Sequence, residues 1–124
     1  MLLSIKEFSQ KTNVSEYTLR FYEKEGVLPF VNRTDSGRRV YNEQNLEWIE
    51  FITALRETGM SLSEIKRYVN LYKQGNSTIP ERKQMMLDHK AKVQKQLSQT
   101  LKYLEKVNYK LALYDVMLQQ VRLP

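Results

Sequence analysis

A chain of 124 residues, 41% of them hydrophobic, can build one small domain, or a small domain with an extension, and leaves no room for a large catalytic domain. It has no cysteine and a single histidine, His89, which excludes disulfide frameworks, thiolate metal sites, thiol sensing and imidazole clusters. The net charge of +6 is uneven, with eleven Lys or Arg against ten Asp or Glu in residues 1–75 and nine against four in residues 76–124, so a nucleic-acid reading must rest on particular arginines and not on bulk charge.

Ser4 followed by Glu7 forms a capping-box pattern, and Ile5 and Phe8 begin an apolar stripe; a helix is predicted from there to about Lys11. Thr12 to Ser15 reads as a turn with Ser15 as the next N-cap, and EYTLRFYEKEG continues helically until Gly26 stops it. Two short helices joined by three or four residues give the helix-turn-helix pattern. The second of them places Tyr17, Thr18 and Arg20 in its N-terminal half, where side chains reach base edges and phosphates, with Leu19 toward the core. Taken singly, Arg20 is equally well read as pairing with Glu16 or Glu23 on a solvated face.

Val27, Leu28 and Pro29 close that helix and lead into NRTDSGRRVY, residues 32–41. This stretch sets Arg33, Arg38 and Arg39 around a run of turn formers and leaves through Val40 and Tyr41, which favour strands, so a tight hairpin loaded with guanidinium groups is expected. Guanidinium forks match phosphate with paired hydrogen bonds, although charge in a turn is more commonly plain solvated surface. Asn42 then caps a third helix with Leu46, Ile49, Ile52 and Leu55 on its inner face, widened by Trp48 and Phe51, and Gly59 ends it. Ser61 and Glu64 repeat the capping box for a fourth helix, whose inner stripe is Leu62, Ile65, Val69 and Tyr72.

KQGNST, residues 73–78, reads as a linker, after which Thr78 is expected to cap, with Pro80 and Glu81 in the first turn. No glycine or proline follows until the last residue, so a helix of about 40 residues, roughly 60 Å long, is predicted. Val93, Leu97, Thr100, Leu104, Val107, Leu111, Tyr114, Leu118 and Val121 alternate steps of four and three, and Leu101 widens this seam. Such a rod cannot bury its own apolar face, and residues 1–75 are too few to cover it; a homodimeric coiled coil is expected. Lysines 92, 95, 102, 106 and 110 fall mostly off the seam as a solvated face. The expected division is residues 1–75 as one domain and 76–124 as linker and dimerisation helix. No apolar window approaches the roughly 18 residues of a membrane span, and a cytoplasmic location is expected.

TLRFYEKEG followed by Leu28 and Pro29, the arginine-bearing segment ending in RRVY, and the TGMSLSEI junction stand together in an order that resembles the MerR family of bacterial transcription regulators. The resemblance covers essentially the whole chain. It implies a mainly α fold: a winged helix-turn-helix DNA-binding domain with a short β-hairpin wing, followed by a long antiparallel coiled-coil dimerisation helix. It further implies that Tyr17, Thr18 and Arg20 meet bases or backbone, that Tyr22 donates to a phosphate, that Arg33, Arg38, Arg39 and Tyr41 line the wing, and that Arg56 with the helix after Ser61 forms a second contact region. Dimerisation would fall to Val93, Leu97, Leu101, Leu104, Val107, Leu111, Tyr114 and Leu118. Family members commonly carry an aromatic residue where this chain has Arg38. FITALRETGM resembles the aldehyde- and thiol-stress branch, whose members often have a cysteine where this chain has Thr53 and Ala54.

The expectation is therefore a homodimeric, sequence-specific regulator that binds a promoter palindrome in double-stranded DNA, distorts it, and acts on RNA polymerase indirectly. The alternatives are a coiled-coil adaptor protein and a DNA-bending recombination factor. No enzyme is expected, since no carboxylate pair, no nucleophile with its base and no phosphate loop occurs. No metal or cofactor is expected either, because His89, Asp88 and Asp115 show no ligand spacing and His89 reads as surface. A small-molecule effector is unassigned; Met85, Met86, Tyr103, Tyr109, Tyr114 and Met117 are read as packing.

Overall fold

A computed structural model describes residues 1–122. The element order is β1 (Leu3–Ser4), α1 (Ile5–Thr12), α2 (Glu16–Lys24), β2 (Asn32–Arg33), β3 (Arg39–Tyr41), α3 (Glu43–Glu57), α4 (Leu62–Lys73), a 3-10 turn at Asn76–Thr78, and α5 (Ile79–Arg122). Two compact units result, Met1–Met85 and the described residues from Met86 onward.

The helix starts follow from local hydrogen bonding. Ser4 Oγ accepts the Glu7 amide at 3.2 Å while Glu7 Oε1 accepts the Ser4 amide at 2.9 Å, so two amides without helical partners are satisfied reciprocally. These same bonds hold the Glu7 carboxyl below its ordinary range. Asn42 and Asn45 make a second reciprocal pair ahead of α3. Asn45 is fully buried and also donates Nδ2 to the carbonyls of Pro29 and Phe30 at 3.1 and 3.2 Å, which ties α3 to the arm leaving α2. Ser61 accepts the Glu64 amide and donates its hydroxyl to the Glu64 carboxylate.

Thr78 behaves differently from expectation. Its hydroxyl points back to the carbonyls of Leu71 and Gly75, at 2.6 and 2.9 Å, and α5 continues directly from the 3-10 turn. Arg82 follows it back, donating to Thr78 Oγ1 and the Gly75 carbonyl. Arg67 of α4 pairs with Glu81, binding the start of α5 to the helix before it.

The core of the first unit gathers Phe8, Leu19, Val27, Leu28, Ile49, Ile52, Ile65 and Val69, each buried to within 2% of completely. Two residues expected there are instead on the surface. Phe51 lies one residue, about 100° of rotation, from Ile52 and so off the buried arc of α3, and Tyr72 sits in the last turn of α4 where the core ends; they stay 36% and 37% exposed. His89, read from the sequence as surface, is buried.

The wing is part of a three-stranded sheet in the order β1-β3-β2. Leu3 pairs with Tyr41 and Ser4 with Val40 on one side of β3, and Asn32 pairs with Val40 and Arg33 with Arg39 on the other, all antiparallel. The amino-terminal strand was not apparent in the sequence, because two residues are too few to show alternation.

In the second unit, α5 presents the predicted seam to solvent. Leu97, Leu101, Leu104, Val107, Leu111, Tyr114 and Leu118 are each more than half exposed. Leu113, Val116 and Met117 add apolar surface beside it near the carboxyl end.

Candidate nucleic-acid interface

The second helix begins at Ser15, whose Oγ accepts the Thr18 amide at 3.1 Å and whose hydroxyl meets Thr18 Oγ1 at 2.8 Å. Thr18 is thus part of the cap as well as a surface residue. Tyr17 beside it projects from the first turn and is 77% exposed. Arg20 pairs with Glu16 at 3.3 Å, an exposed pair one turn apart and worth roughly 0.3–0.5 kcal/mol, weak enough for a phosphate to displace.

Gly37 closes the wing. Its φ of 86° is one that L side chains rarely adopt, and its amide donates to Thr34 O at 2.9 Å while the Thr34 amide donates to Arg38 O at 2.8 Å. Arg33 Nη1 donates to Gly37 O at 3.1 Å, so one of the wing's own arginines braces its tip. The Arg38 guanidinium, at that tip, is exposed and makes no ion pair among the described residues.

One carboxylate joins the helix to the wing. Glu23 of α2 accepts Arg39 Nε at 2.5 Å and Arg33 Nη2 at 3.4 Å, receiving a guanidinium from each strand of the hairpin. The sequence offers Glu23 only as a possible partner for Arg20. Its partners lie ten and sixteen residues away, a separation at which helical spacing carries no information.

Between α2 and the wing lies a cleft of about 540 Å³ lined by Tyr17, Arg20, Phe21, Glu23, Lys24, Arg33 and Arg39. Four cations and one carboxylate line it, and with Glu16 paired to Arg20 beside it the cleft still carries net positive charge in a unit whose total charge is nearly balanced. Tyr41 lies outside that lining. Its side chain is fully buried, stacked on Phe8 at 4.4 Å between centroids and 6° between planes, which corrects the expectation that it lines the wing surface. Burial raises the Tyr41 hydroxyl above its ordinary pKa, as does Glu23, against the opposing pull of Arg39, Arg20 and Arg33.

The other predicted residues are dispersed. Tyr22 is half-buried next to Phe21, and its carbonyl accepts the amides of Val27 and Leu28 that terminate α2. Arg56 stands at the α3–α4 junction, where Nη1 donates to Met60 O at 3.0 Å and holds that turn. No group of three or more His, Cys, Asp or Glu side chains able to hold a metal occurs among the described residues, and none of their helices is long and apolar enough to cross a membrane.

Residues 3–71 match the family described as MerR HTH family regulatory protein, and residues 46–106 match the MerR DNA-binding family. The chain belongs to the MerR family. A Haemophilus influenzae relative, an uncharacterized HTH-type transcriptional regulator, is 38% identical over 93% of this chain and 85% of its own. The Bacillus subtilis HTH-type transcriptional regulator AdhR is 34% identical over 73% of this chain and 65% of its own length. Among solved structures, HiNmlR, a MerR family regulator lacking the sensor domain and bound to promoter DNA, superimposes with a TM-score of 0.87 at 37% identity, covering 93% of this chain and 91% of that one.

Proposed function

We propose that this MerR-family DNA-binding transcription regulator acts as a homodimer that grips a promoter palindrome with α2 and the wing of each copy and distorts the DNA between the half-sites. The observation that carries the reading is the cleft in which α2 and the wing bring Arg20, Lys24, Arg33 and Arg39 together around a single carboxylate, Glu23. Residues 1–75 serve as the DNA-binding domain and 76–124 as linker and dimerisation helix. Tyr17, Thr18 and Arg20 meet bases and backbone from the start of α2, where helix-turn-helix proteins read the major groove. Arg33, Arg38 and Arg39 take phosphates, Tyr22 donates its hydroxyl to another, and Arg56 acts from the α3–α4 junction. Tyr41 has no contact role here, since its ring is inside the core.

The exposed α5 seam supports the dimer. Val93, Leu97, Leu101, Leu104, Val107, Leu111, Tyr114 and Leu118 form a stripe that one helix cannot cover, and an antiparallel partner buries it while fixing the distance between the two copies of α2. Bending a site of 20–30 base pairs costs on the order of 1–6 kcal/mol, drawn from the phosphate contacts, and the polymerase is reached through the realigned promoter and not by direct contact.

Recovery of bound fragments from the host's genomic DNA, followed by footprinting across a salt series, tests this. The expected result is a protected palindrome in a promoter, with a log–log salt slope of about −5 to −9 for 6–10 neutralised phosphates. A flat salt response with no enriched fragment would transfer the function to the coiled-coil adaptor reading.

A further inference from the structure

Arg82 is a half-buried guanidinium that forms no ion pair among the described residues. Its donors go to neutral acceptors, Nε to Thr78 Oγ1 at 3.0 Å and Nη2 to the Gly75 carbonyl at 3.2 Å, while its Cζ lies 5.2 Å from the centroid of the Tyr72 ring. Partly desolvating a cation without a carboxylate is costly, so these contacts call for a role beyond solubility. They share one place: Tyr72 is in the last turn of α4, Gly75 and Thr78 belong to the turn that follows, and Arg82 stands in the first turn of α5. Thr78 is itself fixed, since its buried hydroxyl donates to the Leu71 carbonyl of α4 at 2.6 Å. A planar fork with two acceptors and a ring beside it holds the start of α5 in one orientation, which a single bond does not. The exposed Arg67–Glu81 pair adds a second tie between α4 and α5, of a kind that contributes little.

Tyr72 carries this hold toward the wing. Its ring meets Trp48 of α3 at 4.9 Å and 84°, and Phe30 at 6.1 Å and 65°. Phe30 lies on the arm between α2 and the wing, two residues ahead of β2, and its carbonyl accepts Asn45 of α3. One ring thus touches the arm that leads to the wing, the helix that supports it and the cation that begins α5. The direction of α5 matters because the helix is long. It runs unbroken from Ile79 to Arg122, so Val107, in the middle of the apolar seam, lies about 42 Å along the axis from its start. Turning that start by about 5° displaces Val107 by about 4 Å, more than the roughly 3.4 Å rise of one base pair. We propose that Arg82 is a positioning residue: by bracing the first turn of α5 against Thr78, Gly75 and the Tyr72 ring, it fixes the distance between the two copies of α2 and so the spacer length that the dimer accepts between half-sites. This role rests on the palindrome-binding dimer proposed for the chain, and Arg82 acts in it through α5, without touching DNA.

Operators are built on the recovered palindrome with the spacer kept, shortened or lengthened by about two base pairs, beside a single half-site, and the affinity of the full chain for each is measured by fluorescence anisotropy. The parent is expected to prefer the natural spacer by about tenfold, because an altered one must be deformed to fit. In Arg82→Ala that preference should fall about fivefold, the size of one lost hydrogen bond, while half-site affinity stays within about twofold of the parent. Arg82→Lys, the milder change, keeps the charge but not the fork, and should lose most of the preference as well. Three results would overturn the proposal. Unchanged spacer preference in Arg82→Ala makes the contacts incidental, full preference in Arg82→Lys makes charge the cause, and half-site affinity that falls in step with that of the palindrome makes Arg82 a DNA contact or a folding residue. Equal binding of all spacers by the parent also overturns it. A parent that binds no palindrome removes the regulator reading itself, whereas variants that share the parent's preference remove only the role of Arg82.

Discussion

Tyr41 closes the wing with its ring flat against Phe8 and its hydroxyl without a hydrogen-bond partner in the protein. The side chain is held for its apolar area, and the hydroxyl is a burden accepted for it. Tyr41→Phe keeps the stack and removes a buried polar atom, so chemical denaturation at pH 8 should show unchanged or higher stability, by up to about 1 kcal/mol. The pH dependence follows from the sign of the shift. The folded-state pKa is raised above the ordinary value of 10.0, so the protonated form is favoured by folding; this contribution is complete below about pH 10 and is lost as pH rises through the folded value. Stability measured from pH 8 to 11 should therefore fall in the parent chain beyond what Tyr41→Phe shows; parallel curves would mean that Tyr41 does not titrate within the fold.

Helix α2 and the wing are separate elements that are joined into one surface because Glu23 receives Arg39 and Arg33. Counting charges alone, removing a carboxylate from a basic cleft should strengthen DNA binding. The geometry argues the opposite: without Glu23 both guanidinium groups lose the acceptor that orients them, and the hairpin loses its attachment to α2. Glu23→Ala is expected to weaken specific DNA binding about three- to tenfold and to lower stability by about 1 kcal/mol, the modest figure for charge-assisted bonds at a partly exposed site. Fluorescence anisotropy with operator DNA decides between the two; tighter binding by the variant would make Glu23 a mere repelling charge. Asn45 has the corresponding structural task for α3, since its amide fastens that helix to the Pro29 and Phe30 carbonyls.

Across the whole molecule the largest unmet demand is on α5, where seven seam residues from Leu97 to Leu118 are each more than half exposed. Lysine at two of them puts charge in the middle of any paired seam and leaves the first unit's core unaltered. Leu104→Lys with Leu111→Lys should yield monomers in light scattering, with the helical content of residues 1–85 retained and palindrome binding reduced by tenfold or more, since two half-sites can no longer be held by one particle. A dimer that persisted would mean that another surface pairs the copies.

Local chemistry was legible in the amino-acid order. The capping residues Ser4, Ser15, Asn42 and Ser61 act on amides three residues away, and each marks a helix start where expected. Gly26 and Gly37 take up positive φ where the chain must turn, and the seam on α5 follows the heptad spacing. Arg20, Arg33 and Arg39 were identified by residue type, and the fold brings them to one cleft. The remaining features depend on contacts between residues far apart in the chain. The pairing of Leu3 with Tyr41, the inward turn of Tyr41, the hold of Glu23 on two wing arginines and the packing of Tyr72 on Trp48 between α4 and α3 all depend on which faces meet. Two- and three-residue strands have no readable periodicity, and a helical ring can lie on the core or beside it with a rotation of one residue. By itself, therefore, the sequence determined the helices, the basic wing and the apolar heptad seam of α5, because their signals are set within a few residues. Only the tertiary structure decided which aromatic side chains are buried and which arginines share an acceptor, because those outcomes are fixed by packing across the chain.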